Sequence, residues 1–349
     1  MKIASQPDDF SGVRARLPYR IDEVLPTATI DVATVNAIKI PLGVMSLTGE
    51  ASYEVDIAPY LDGIPVVAPH IAQRSGFMNH PERCVAAKLS TAYIADPEVH
   101  LPIYSDQRTF TFGSKSVPEG TILSDMPGAG EVTAASHREI AFCTTEAEVH
   151  AIVTLSRPGT EKSLRISGGA DEPAAGAEWF ACQHGMAALH INMRELMTRA
   201  GEEEFENMEV KVYRRNNGAG DNGNLLIEKY FRIIPEKTEG TEVHWINPYG
   251  TIDSYSFDTL VEESASIRKT MIATSGGPRA LHTETETAVK VVSRLEPAAV
   301  MRWLGQVGEA PRVWMVENGI ATEAFVGNLS VPVYSRTKPE PLAITLVKQ

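Results

Sequence analysis

Along most of the chain, apolar residues recur at every second position. Residues 210–213, 225–234, 241–246 and 252–257 alternate, or concentrate β-branched and aromatic side chains, between turn formers. That is the pattern of half-buried strands. Residues 27–32, 52–57, 84–94, 108–112, 140–143, 149–155 and 164–167 carry it as well. Helical spacing is confined to two short stretches. Residues 192–200 open on Asn192, place Glu195 three positions on and stop at Gly201, which spells a capping box and a glycine C-cap. Residues 296–305 have Pro297 in the first turn and apolar residues at helical intervals, as a helix start with a buried face requires.

Short strands separated by 22 prolines and 26 glycines predict a mainly β protein, built from several antiparallel β-sandwich domains with a few short helices. A length of 349 residues, against roughly 150 per domain, calls for two or three domains. Turn-rich zones at 118–130 and 235–240 place them at 1–125, 126–240 and 241–349, the last with one short helix.

Charge narrows the choice of partners. A formal net charge of −13 gives a long-range field that repels a phosphate backbone, and no block of Lys and Arg opposes it, so nucleic acid is not an expected partner. The acidic run Glu202, Glu203, Glu204 and Glu206 reads as a solvated loop. Three widely spaced cysteines, Cys84, Cys143 and Cys182, give neither a disulfide framework nor a zinc knuckle. No stretch has signal-peptide character and no window approaches the ~20 apolar residues of a membrane span. The expectation is a protein folded in a bacterial cytoplasm, without membrane insertion.

Candidate chemistry is sparse. Gly218, Gly220 and Gly223 spell G-x-G-x-x-G, but a dinucleotide site needs a helix directly after the glycines, and a strand pattern follows. The flanks predict a hairpin instead. Asp221, Asn222, Asn224 and Glu228 offer oxygen donors to an ion, yet Gly223 and Leu225 occupy positions that a calcium loop fills with ligands. Cys182, His184 and His190 supply a thiol and imidazoles for a nucleophile or a soft metal, without the third, orienting group such catalysis needs. His282, Glu284 and Glu286 share one face of an alternating run whose other face is Leu281, Thr283, Thr285 and Thr287. Paired carboxylates of that kind serve acid–base work only when burial separates their pKa values, and the same row discourages aggregation on an exposed strand. No catalytic residue, metal site or cofactor is assigned, and a non-enzymatic role is expected.

The most distinctive stretch is HWINPYGTIDSYSF, residues 244–257. A strand ending at Trp245 and Ile246 turns through Asn247, Pro248, Tyr249 and Gly250, and a second strand runs back. With 295–304, 311–319, 331–338 and 342–347 it resembles the closing module of structural proteins encoded by phages and prophages of Bacteroides-type bacteria. The resemblance covers residues 241–349, with an echo at 208–234. It implies a structural component of a phage or prophage tail, or of a phage-tail-like particle, made in the cytoplasm and released by lysis. Its partners would be copies of itself and other particle proteins, with a host-surface glycan as a further ligand. Trp245, Tyr249, Tyr255 and Trp314 are the aromatics placed to anchor such contacts, unless they are core residues. The alternative is a carbohydrate-binding or carbohydrate-acting β-sandwich, which would need an aromatic platform or two carboxylates across a cleft.

Overall fold

The computed structural model describes the chain except residues 1, 23–27, 35–38, 46–51, 62–67, 94–102, 171–177, 202–203, 217–222, 236–239, 318, 331–340 and 349. The described residues are mainly β. Strands of 2 to 23 residues form four open sheets and one closed barrel, with three short α-helices. Pairing is antiparallel apart from two short parallel ladders, Ser11–Gly12 beside Arg108–Thr111 and Ala129–Val132 beside Asn224–Ile233.

In the N-terminal part, the sheet of Lys2–Ser5, Pro18–Asp22 and Ser52–Asp56 shares a core with the sheet around Cys84–Tyr93. Leu17, Tyr19, Ile21, Leu89 and Phe110 fill it. The middle part is a sandwich. In its larger sheet Ala147–Arg157 lies between Thr160–Ile166 and Asn207–Arg214. Val149, Ala151, Val153 and Leu155 point inward at every second position, as a strand with one buried face must. The opposing sheet pairs His137–Thr144 with Gly185–Asn192, and Gly185–Asn192 with Gly76–Asn79. That last strand comes from the N-terminal third, so one sheet spans the boundary drawn at residue 125.

Both helices read from the sequence are present. Met193–Ala200 is capped by the Asn192 side chain, which accepts from the Glu195 backbone amide, and it ends on Gly201 in a left-handed conformation. Ala298–Leu304 follows Pro297. The turn formers at 216–223 lie largely outside the described residues, Asp221 and Asn222 included, but their flanks pair as a hairpin, Asn207–Arg214 with Asn224–Ile233.

Residues 241–348 close on themselves. Thr241–Ile246 pairs with Ile252–Thr274 on one side and Val313–Glu317 on the other, and Gly277–Val292, Ala343–Lys348 and Ile320–Ser330 complete a six-stranded barrel. A six-stranded barrel is narrow enough to be filled by side chains. Val243, Trp245, Phe257, Val291, Met315 and Leu346 fill this one, with Met301, Trp303 and Leu304 of the helix packed against them.

Candidate functional site: a buried polar seam and a projecting arm

In an isolated barrel, residues alternating with Val243 and Trp245 would face water. Here Glu242, His244 and Ile246 are buried too, because the middle sheet covers that side. Strand His137–Thr144 lies along it. Arg138 donates from Nη1 to Glu242 Oε1 at 2.9 Å, to Ser254 Oγ at 2.9 Å and to its neighbour's carbonyl, His137 O, at 3.0 Å, and from Nη2 to Glu131 O at 3.0 Å. Glu242 also accepts from the His137 amide at 2.8 Å. Burial works to raise the Glu242 carboxyl, but His137, His244 and the Arg138 charge outweigh it and hold the group well below the usual carboxylate range. Ser136 and Ser256 exchange a hydroxyl contact of 2.9 Å across the same seam.

The turn 247–250 forms the other end of the joint. Asn247 Nδ2 and Thr251 Oγ1 both donate to Leu123 O at 2.7 Å, and Ser114 N donates to Pro248 O. Gly250 has φ +80°, and a Cβ on Gly113 would fall 2.4 Å from the Tyr249 carbonyl carbon. Glycine at 113 lets the two backbones touch. The turn is therefore a joint between modules.

That placement decides the four aromatics. Trp245, Tyr255 and Trp314 are 0, 3 and 2% exposed. Trp245 packs against Trp303, and Tyr255 donates to Glu296 Oε1 at 2.6 Å. Tyr249 is half-buried, donating to Asp125 Oδ1 at 2.8 Å beneath the Lys115 ammonium. Three lie in the core rather than at the surface: Trp245 and Tyr255 because alternation in a barrel strand sends every second residue inside, and Trp314 because the outer face of its strand is covered. Of the Cys182 group, His184 reaches Thr109 Oγ1 at 2.8 Å, and burial pushes the Cys182 thiol up to about 12. His190 lies elsewhere, against His80.

Asp253 sits deep in the seam, 5% exposed, accepting from Trp303 Nε1 at 2.7 Å. Burial pushes its carboxyl up to about 6, against the pull of Trp303, Ser124 and Asn247. An acid whose folded pKa lies above its ordinary 3.8 keeps a proton that the unfolded chain gives up. Its contribution to stability is thus fully present below about pH 4, falls as pH rises towards 6 and is flat above. The cost at neutral pH is about 2–3 kcal/mol. Asp253→Asn is expected to flatten the difference in melting temperature between pH 4 and 7; parallel profiles for variant and wild type would refute it.

Outside the barrel a different feature stands out. The hairpin of Ile252–Thr274 and Gly277–Val292 stays paired to its tip, Thr274 opposite Gly277, but Thr241–Ile246 pairs with it only as far as Phe257 and Ala343–Lys348 only from Thr287. From Ser266 to Thr274 the arm runs on as two strands for roughly 30 Å. A β-bulge puts Leu281 between the pairs Thr270–His282 and Met271–Ala280. Ile267, Met271 and Leu281 are 61, 53 and 66% exposed. Ile267 and Thr285 are an opposed pair, in register with Val289 and Val291, which are buried in the barrel. One face of the arm thus continues the barrel's inward face past the point where the described residues cover it. The paired tip from Lys269 to Thr283 contains Lys269 and Arg279 and no Asp or Glu, while Arg268, one step back, is opposed by Glu284. The tip carries +2, and the remainder of the chain −13 − 2 = −15.

The sequence pattern showed the alternation at 281–292 but not that, among the described residues, no third strand pairs with the arm there, since pairing partners are set by topology. Among the described residues no helix is long and apolar enough to cross a membrane. No family model matches the sequence, and no curated protein matches it. Among solved structures, the chain is similar to a marsupial T cell receptor at 11% identity, covering 99% of this chain and 91% of that one with a TM-score of 0.20, a superposition too loose to carry an argument.

Proposed function

We propose that the protein is a non-enzymatic structural component that assembles with copies of itself through the arm. An isolated two-stranded hairpin is marginally stable in water, and exposed strand edges are ready templates for pairing with another chain. A partner that covered the apolar face would supply what the arm lacks. The occupant we favour is a second copy, because a tip of +2 complements a remainder of −15 and such oligomers close by symmetry. With the resemblance of residues 241–349 to phage and prophage structural proteins, this makes the chain a part of a phage tail or tail-like particle, its other partners being neighbouring particle proteins. The sugar-binding alternative has no comparable support, since Trp245, Tyr255 and Trp314 are inside the fold.

Ala265 and Thr287 are an opposed pair, so an Asn-Gly turn replacing residues 266–286 closes the hairpin at the barrel rim. Light scattering after size-exclusion chromatography is expected to give a discrete multiple of 38.0 kDa for wild type and a monomer of unchanged circular dichroism for the shortened protein. A wild-type monomer at every concentration, or an assembly that survives the shortening, would sink the proposal.

A further inference from the structure

Three polar side chains meet beside the seam. His190, on Gly185–Asn192, is the cross-strand partner of Glu139, on His137–Thr144. His80 follows Gly76–Asn79, the neighbouring strand of the same sheet, and its backbone amide is fixed to Met186 O at 2.8 Å. His80 and His190 are 2 and 3% exposed and the Glu139 side chain 5%. His80 Nε2 and His190 Nε2 face each other at 3.0 Å, and a Glu139 carboxylate oxygen lies within 4.8 Å of both.

The surroundings already orient one of the two histidines for ligation. His80 Nδ1 is 2.7 Å from Glu82 Oε1. A carboxylate can only accept, so Nδ1 carries the proton and Nε2 offers a lone pair, the arrangement in which an outer carboxylate fixes the tautomer of a ligating histidine. Arg83 donates to Glu139 Oε1. Burial works to raise the Glu139 carboxyl, but the Arg83 guanidinium beside it holds the group down. With metal–nitrogen bonds of about 2.1 Å, nitrogens 3.0 Å apart subtend roughly 90° at an ion. Two histidines at that angle with one carboxylate close by are the donor types that octahedral first-row ions take. A small pocket lined by His70, His137, Glu139, His190 and His244 adjoins the cluster, and His70 packs edge-on against His190 with ring centroids 5.4 Å apart.

We propose that His80 Nε2, His190 Nε2 and the Glu139 carboxylate bind one divalent first-row transition ion, clipping the turn at 80–83 to the two strands behind it. The ion-free state is a hydrogen bond from His190 Nε2–H to His80 Nε2. Binding moves the His190 proton to Nδ1, with no net proton release from the pair.

The test uses tag-free full-length protein stripped with EDTA and titrated separately with Co2+, Ni2+ and Zn2+. Bound ion is counted by mass spectrometry after dialysis, and the Co2+ absorption spectrum is recorded. One ion per chain is expected, with a rise in melting temperature that EDTA reverses. His190→Gln should weaken binding about a hundredfold or more. Glu82→Gln, at a half-exposed position that touches no ion, should weaken it about tenfold while leaving the fold intact. Wild type that takes up no ion under any of the three metals, or an ion retained at full affinity by both variants, would overturn the site and leave a neutral histidine pair.

Discussion

Arg138→Met is expected to lower the unfolding free energy by about 3–5 kcal/mol, because it removes one partner of a buried ion pair and leaves the other. Arg138 and Glu242 are 5 and 8% exposed. Their attraction has already offset the cost of taking both charges out of water. Without the guanidinium, Glu242 keeps His137 and His244 as neighbours, but Ser254 Oγ and Glu131 O each lose a donor. The companion variant Arg138→Met with Glu242→Leu should recover most of the loss, since apolar replacement of a whole buried pair is often near neutral. Urea unfolding followed by tryptophan fluorescence reads this directly, as Trp245, Trp303 and Trp314 of the four tryptophans belong to the barrel. A single-variant cost below about 1 kcal/mol, the level of a surface pair, would mean that the seam is wetter than its burial implies. The pH dependence follows from the same contacts. The folded pKa of Glu242 is depressed, so its contribution is present above the ordinary carboxylate range and is lost as pH falls through the folded value. In the Arg138→Met variant that acid-side loss should shrink.

Local signals carried a good deal of the fold. Asn192, Glu195 and Gly201 stated the start and end of their helix, and the observed cap uses those atoms. The alternation at 241–246 and 252–257 marked two strands joined by a turn, and the structure pairs them with Ile246 opposite Ile252. What stayed hidden depends on contacts distant in sequence. His80 and His190 are 110 positions apart, and Arg138 and Glu242 are 104 apart; a lone histidine or arginine in an alternating strand reads as a solvated residue until the covering sheet is known. The burial of Trp314 has the same origin, since it belongs to the outer-face cluster with Ile246 and Ile252. Closeness in sequence groups His190 with Cys182 and His184, whereas strand register hands it to Glu139. The arm is intermediate: its alternating residues were legible, but an unpaired edge is a property of the whole sheet.

Trp303→Ala should cost about 3–5 kcal/mol, for two separable reasons. The ring packs against Trp245 at a centroid distance of 5.0 Å and approaches Tyr255 at 6.3 Å, in the cluster that also holds Val243, Phe257 and Leu304. Removing it opens a cavity in the barrel where close-packed neighbours relax only in part. The indole N–H also donates to Asp253 Oδ2 at 2.7 Å, and a buried carboxylate that loses a donor is left with an uncompensated desolvation cost. Trp303→Phe separates the two, keeping most of the ring and deleting the donor, so it should cost about 1–3 kcal/mol. In that background the pKa of Asp253 should rise further, and adding Asp253→Asn should be less damaging than the sum of the single changes, the non-additivity expected of groups in contact. Denaturant unfolding of the four proteins at pH 7 decides it. Equal losses for the Phe and Ala variants would assign the whole effect to the hydrogen bond, whereas a loss under about 1 kcal/mol for Ala would show that the helix does not seal the barrel.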